Sequence, residues 1–239
     1  MKPMRSCVAA ASKPPMASIR PCRCHVRLSR TWHKRHVDDP YVRRAISEGY
    51  RSRAAFKLIE LDDRAKGAKL LRKGKLALEL GAAPGSWTQV LVARGVRTVA
   101  CDLLPLEPLD GATFVQGDFT APATRRALAA ALGGARADLL VSDLSPNRSG
   151  HPSLDSARAA DQMEQCLVVA RDHLAPGGDF VAKLLRGEDE RDLMALLRAS
   201  FGGGVRQIKP KASRGESREI YVVGREYLPE AAAEALRNG

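Results

Sequence analysis

The stretch Leu78-Glu79-Leu80-Gly81-Ala82-Ala83-Pro84-Gly85-Ser86-Trp87 decides the fold class of this 239-residue chain. A short apolar run over 76–80, with an acid near its end, opens into a turn of small residues. Behind the turn, Trp87-Thr88-Gln89-Val90-Leu91-Val92-Ala93 reads as a helix. Strand, glycine-bearing loop and helix in that order is how an α/β protein presents its backbone to a nucleoside-bearing ligand. Gly81 and Gly85 lack a Cβ, so they can take positive φ and let a ligand approach the main chain. The helix that follows offers its free N–H groups to the same ligand.

Outward from this loop, short apolar runs alternate with helical segments. The strands are expected at 76–80, 98–102, 113–116, 139–142, 179–184, 205–209 and 219–223. Helices are expected at 51–64, 87–94, 122–132, 153–174 and 188–201, with another starting at Asp38-Asp39-Pro40-Tyr41, where an acid precedes a proline. Ala55, Leu58, Ile59 and Asp62 give the first of these a mostly apolar face. Met163, Leu167, Ala170 and Leu174 line one side of the fourth, which should stop at Pro176-Gly177-Gly178. Such alternation implies a Rossmann-like, mainly parallel seven-stranded sheet with helices on both faces. The last two runs are joined by a short polar link, so one of them should be antiparallel. No internal repeat is visible.

The length suits one α/β domain with a peripheral extension. No window approaches the roughly 18 uninterrupted apolar residues of a membrane-spanning helix. Five cysteines without a framework spacing fit a reducing compartment. Cys22-Arg23-Cys24-His25 is too tightly spaced for the usual zinc pattern and has no second half, so no metal is expected. The net charge of +12 is unevenly placed. Residues 1–37 hold nine cations (Lys2, Arg5, Lys13, Arg20, Arg23, Arg27, Arg30, Lys34 and Arg35) and no acid, whereas the remainder is nearly balanced. Residues 1–37 therefore read as a flexible basic extension and 38–239 as the folded domain, with nucleic acid as the first candidate partner. The Arg-, Ser- and Ala-rich composition of 1–30 fits an organelle transit peptide equally well, and it has no apolar segment for secretion.

Three acids, Asp102, Asp118 and Asp143, sit just past the ends of successive strands, where an open α/β sheet binds ligands. Asp102 lies about twenty residues beyond the glycine loop, the interval for an acid that accepts from ribose hydroxyls. Asp118 could accept from an adenine amino group, with Phe119 beside the base. Each acid could equally be a helix cap or a turn former. Ser142-Asp143-Leu144-Ser145-Pro146-Asn147 puts an acid and an amide in a proline-stiffened loop at the same edge. Lys183 lies inside the apolar run Phe180-Val181-Ala182-Lys183-Leu184-Leu185, where a lysine must be paired, stand near the strand end, or act. Glu219 begins the apolar run Glu219-Ile220-Tyr221-Val222-Val223 and could face the same cleft.

Six ordered segments now carry a specific resemblance. They are Arg51-Ser52-Arg53-Ala54-Ala55-Phe56-Lys57-Leu58, Leu80-Gly81-Ala82-Ala83-Pro84-Gly85, Cys101-Asp102-Leu103-Leu104-Pro105, Gln116-Gly117-Asp118-Phe119, Ser142-Asp143 with Pro146-Asn147, and Ser217-Arg218-Glu219-Ile220-Tyr221. Together they resemble the FtsJ/RrmJ family of S-adenosylmethionine-dependent ribose 2′-O-methyltransferases, most closely its bacterial ribosomal RNA branch, RlmE. The resemblance runs from about Arg30 to Val223. It implies a Lys-Asp-Lys-Glu catalytic tetrad at Lys57, Asp143, Lys183 and Glu219. It also implies contacts to the cofactor, S-adenosyl-L-methionine, from Gly85, Trp87, Asp102, Asp118 and Asp143. Glu79 stands where the family usually has Asp, Ser86 where a second Gly is common, and Arg148 where Met is frequent.

What the resemblance implies is in-line transfer of a methyl group to the 2′-hydroxyl of a uridine ribose in large-subunit ribosomal RNA, supporting ribosome maturation. The protein must then align oxygen, methyl and sulfur and remove the hydroxyl proton or stabilise the developing charge. Lys183 is assigned to that last role, either as a base lowered toward neutrality by Lys57 or as a charged donor. Arg51, Arg53, Arg214 and Arg218 are expected to contact RNA phosphates. Three other readings remain: a tRNA-directed enzyme of the same family, a non-catalytic RNA-binding assembly factor, and a nicotinamide-dependent oxidoreductase. The last fits poorly, because Gly-Ala-Ala-Pro-Gly is not Gly-x-Gly-x-x-Gly. A cytoplasmic monomer is expected, or a mitochondrial or plastid enzyme if 1–30 is a transit peptide.

Overall fold

The computed structural model describes residues 39–65, 67, 69–146, 149–187 and 190–238. Among these residues, seven helices and seven strands follow one another: α1 (Pro40–Glu48), α2 (Ala55–Arg64), β1 (Leu76–Leu80), α3 (Ser86–Ala93), β2 (Arg97–Asp102), β3 (Ala112–Gln116), α4 (Pro122–Ala131), β4 (Ala137–Ser142), α5 (Pro152–His173), β5 (Leu174–Leu185), α6 (Glu190–Ser200), β6 (Val205–Ile208), β7 (Glu219–Gly224) and α7 (Pro229–Asn238). The strands form one sheet in the order β3-β2-β1-β4-β5-β7-β6. β1 to β5 pair in parallel, and β7 inserts antiparallel between β5 and β6. The expected Rossmann-like architecture, with its single antiparallel strand, is therefore present. Strand order reverses between β1 and β4, so a cleft opens there at the carboxyl edge of the sheet.

Alternation along β1 divides the core into two layers. Leu76, Leu78 and Leu80 pack with Leu128 of α4, Met163 and Leu167 of α5, Leu197 of α6 and Ala232 of α7. Ala77 faces the other way, toward Leu58 and Leu61 of α2 and Trp87 and Leu91 of α3. All five residues of β1 are buried, as a central parallel strand covered on both faces requires. Asp39 caps α1 by accepting from Tyr41 N at 3.0 Å. Among the described residues no helix is long and apolar enough to cross a membrane.

Three elements differ from the sequence expectation. The helix expected over 51–64 begins at Ala55, because the Ser52 hydroxyl takes the Ala54 N–H into a tight turn first. α5 ends at His173, and Pro176-Gly177-Gly178 lies inside the longer strand β5, where Gly177 N donates to Tyr227 O and Gly178 O accepts from Tyr227 N. Those glycines stop no helix; they let the chain bend while it pairs. The expectation contained no helix at Pro229–Asn238, whose inward face is built on alanines such as Ala232 that give little periodic contrast.

Candidate active site

Four elements bring the candidate tetrad together at the carboxyl edge. Asp143 follows β4, Lys183 comes from β5, Glu219 opens β7, and Lys57 projects from α2. The Lys57 Nζ lies 2.8 Å from Glu219 Oε1 and 3.8 Å from Asp143 Oδ1. Lys183 Nζ lies 2.9 Å from Asp143 Oδ1 and 3.9 Å from Glu219 Oε2, and it also donates to the Asp143 main-chain oxygen at 2.8 Å. Two cations and two anions thus cross-pair in a cluster whose side chains are each less than one-fifth exposed. A charge can be held in so dry a place only because each has an opposite partner. Burial works against ionisation of Glu219, but the lysines at 57 and 183 and the hydrogen bonds from Lys57 and Ser213 outweigh it, so its carboxyl titrates below the ordinary glutamate value.

A fifth residue belongs to the cluster and was not assigned from sequence. The Tyr221 hydroxyl donates to Asp143 Oδ1 and, at 3.3 Å, to Glu219 Oε1. Burial first, then the two carboxylates, hold its phenol well above the ordinary tyrosine range, so it remains a proton donor. The sequence held only a partial signal, that Glu219 and Tyr221 are two apart on one strand and share a face; it is the β5–β7 register that sets Tyr221 opposite Lys183. Ser213, also unassigned, donates to Glu219 Oε1 at 2.7 Å.

Two cavities lie at this edge, one lined by Lys57 and Glu219 of the cluster and one by Leu144 and Pro146, which follow Asp143 in the chain, but by none of the four cluster side chains. One, of about 440 Å³, is lined by Gly81, Asp102, Asp118, Phe119, Leu144 and Pro146 among others. Asp102 forms its inner wall and is itself fixed, since its carboxylate accepts from Ala83 N at 2.8 Å and from Leu104 N at 2.9 Å. One oxygen of Asp118, a residue that lines the cavity, accepts from the Thr120 hydroxyl and N–H, which lower its titration. Gly81 takes a φ of 75°, and a Cβ there would meet Leu144 Cδ2 at 2.6 Å. The second cavity, of about 490 Å³, is lined by Arg53, Ala54, Lys57, Arg214, Glu216, Ser217 and Glu219. Lys57 and Glu219 therefore face that side.

Four of the sequence-assigned positions are placed differently from expectation. Trp87 does not present its ring to either cavity: it is 2% exposed, its indole donates to Ala54 O at 2.8 Å, and its ring packs on Tyr221. Gly85 has a positive φ of 100°, and the space a Cβ would take is filled by the Arg51 guanidinium and Leu106, so the glycine admits a close approach by the protein's own side chains. Arg53 is largely buried, paired with Asp39 and donating to Ala212 O. Arg51 donates to Pro84 O and Pro108 O. Arg214 and Arg218 remain accessible, the first on the rim of the second cavity. Cys22-Arg23-Cys24-His25 and Asn147 and Arg148 fall outside the described residues, among which no group of three or more His, Cys, Asp or Glu side chains could hold a metal.

Comparison with known proteins agrees with this fold. A family model described as FtsJ-like methyltransferase matches residues 50–227. A ribosomal RNA large subunit methyltransferase E of Gluconobacter oxydans is 43% identical, over 97% of this chain and 85% of its own. Its namesake in Acidiphilium cryptum is 46% identical over 90% and 93%. The crystal structure of a ribosomal RNA methyltransferase from Plasmodium falciparum superposes with a TM-score of 0.67 at 28% identity, covering 75% of this chain and 99% of that one. The matched span runs from the turn before α2 to the end of β7 and beyond, and so includes every strand and all four tetrad positions; the chain belongs to the FtsJ-like methyltransferase family.

Proposed function

We propose that this protein transfers a methyl group from S-adenosylmethionine to the 2′-hydroxyl of a uridine ribose in large-subunit ribosomal RNA. The observation that carries this reading is the cross-paired cluster of Lys57, Asp143, Lys183 and Glu219 beside the second cavity, on a chain whose relatives bear the name of a large-subunit ribosomal RNA methyltransferase. The Asp102–Asp118 cavity suits the cofactor. It offers one fixed carboxylate for ribose hydroxyls, a second for an amino group, and Phe119 for a base. When bound, S-adenosylmethionine supplies an already activated methyl on a sulfonium. The cavity beside Lys57 and Glu219 then suits the nucleotide to be modified, with Arg214 on its rim placed for a phosphate.

The work left to the protein is alignment and management of one proton. Two N–H groups of Lys183 are taken by Asp143 O and Oδ1, which leaves one tetrahedral position for the 2′-oxygen. As an N–H, that position stabilises negative charge growing on the oxygen; as a lone pair, it accepts the hydroxyl proton. A pH–rate profile separates the two, since only the second requires activity to rise through ionisation of the lysine. Asp143 orients Lys183 and is itself held by Tyr221, while Glu219 and Lys57 hold each other against the substrate cavity. We read residues 38–239 as the catalytic domain, 1–37 as a basic extension that adds affinity for RNA, and the cytoplasm as the place of action, as fits bacterial relatives named for ribosomal RNA.

The deciding experiment maps 2′-O-methyl sites in ribosomal RNA from cells with and without the protein, and repeats methylation in vitro on large subunits and on bulk tRNA. A site in large-subunit RNA that vanishes without the protein and returns with it supports the reading. Methylation confined to tRNA would transfer the assignment to a tRNA-directed enzyme.

A further inference from the structure

Arg51 was expected to meet RNA phosphate, but its surroundings give it other work. Its Nη1 donates to Pro84 O and its Nη2 to Pro108 O, both at 3.1 Å. Pro84 lies in the glycine loop after β1, and Pro108 lies in the loop between β2 and β3. Both loops contribute to the lining of the Asp102–Asp118 cavity, through Gly81 in one and Leu103 in the other. At their inner ends they are already tied, because Asp102 accepts from Ala83 N. Arg51 makes the corresponding tie at the outer ends. Gly85 accommodates it: a side chain there would collide with the guanidinium.

Arg51 is in turn held from α3. Its main-chain N–H donates to Gln89 Oε1 at 2.8 Å, and Gln89 Nε2 donates to Gly49 O at 3.0 Å, so one amide grips the turn before α2 on both sides. Ser52 and Ser86 share a hydrogen bond of 2.8 Å beside it. Ser86 is the position where the family commonly has glycine, so this last link is made by the chain's own departure from the pattern.

We infer that Arg51 is a positioning residue of the cofactor site, clamping its two wall loops at a fixed separation, rather than a contact to RNA. A planar fork offers its two donors from separate nitrogens, Nη1 and Nη2, and so is preorganised to span two carbonyls, whereas a lysine ammonium offers its donors from one nitrogen on a flexible stem. The inference rests on the assignment of that cavity to S-adenosylmethionine. Titration of the wild-type protein with S-adenosylmethionine comes first, and no binding there overturns the cavity assignment itself. With binding established, Arg51→Lys and Arg51→Gln are titrated calorimetrically with S-adenosylmethionine, in the absence of RNA. Affinity for large-subunit ribosomal RNA is then measured against salt. The clamp predicts that both variants bind S-adenosylmethionine on the order of tenfold more weakly, while the salt slope for RNA stays as in wild type. A phosphate contact predicts the reverse: unchanged cofactor affinity in both, and in Arg51→Gln a slope shallower by about 0.7–0.9. That second pattern, or unchanged cofactor affinity alone, overturns the inference. Thermal melting of both variants guards against general unfolding, and the charge-preserving Arg51→Lys suffices if the other is unstable.

Discussion

Glu79 yields a prediction whose size can be worked from the structure. It sits on the β1 face that looks toward α3, 1% exposed, with Oε2 accepting from the Thr88 hydroxyl at 2.7 Å. Burial dominates its titration and is reinforced by Asp143 and Asp102; the Thr88 hydrogen bonds oppose it, and the carboxyl is pushed from its ordinary 4.5 to about 8. Below pH 4.5 the group is protonated whether the chain is folded or not, and the stability gained by burying a neutral acid is fully present. Between those values the unfolded chain releases its proton and the folded chain cannot, so stability falls by about 1.4 kcal/mol per pH unit. Over the whole interval the loss reaches about 5 kcal/mol at most, and it ceases once the folded protein ionises near pH 8. Glu79→Gln keeps the shape of the protonated acid and abolishes its titration. Urea unfolding of both proteins from about pH 5 to about pH 9 should therefore show the variant gaining several kcal/mol on wild type as pH rises, with little difference at the acid end. Parallel stability profiles for the two proteins would falsify the account of Glu79 as a buried neutral acid.

Lys183→Ala should reduce methyl transfer by at least about a hundredfold, because in the proposed mechanism it removes the group that meets the developing oxygen charge. Calorimetry should find S-adenosylmethionine binding intact; if that binding is lost too, Lys183 belongs to the cofactor site instead. In Asp102→Asn the new amide cannot accept from both Ala83 N and Leu104 N, so cofactor affinity should fall on the order of tenfold, and an unchanged dissociation constant would remove Asp102 from that site. Asp62 is fully buried in α2, accepting from Leu71 N at 3.0 Å and from Arg94 Nη1 at 3.0 Å. Asp62→Ala strands the Leu71 N–H and should cost about 2–3 kcal/mol in chemical unfolding while leaving activity per folded molecule unchanged.

Much of the site was legible because its residues break local rules. Lys183 inside an apolar strand, and acids at the ends of β2 and β4, are anomalies that a hydrophobic pattern exposes without any knowledge of neighbours. Tyr221 broke no such rule. A tyrosine in a buried strand is ordinary, and its role depends on which groups the adjoining strand and α2 place beside its hydroxyl. Trp87 and Arg53 each lie in a motif segment, where sequence alone does not show that the indole N–H donates to Ala54 O or that the Arg53 guanidinium pairs with Asp39 and donates to Ala212 O.

The sequence by itself determined the alternation of strands and helices, the glycine-bearing loop after β1 and the acids at the strand ends. These follow from side-chain period and backbone freedom, which act over a few residues. Only the tertiary structure decided that Lys57 and Glu219, 2.8 Å apart, are partners across a cluster, that burial pushes the Glu79 carboxyl upward, and that Arg51 ties two loops. Pairing, desolvation and reach depend on what the sheet order brings together, and β7 inserting between β5 and β6 cannot be read from the local pattern of any one strand.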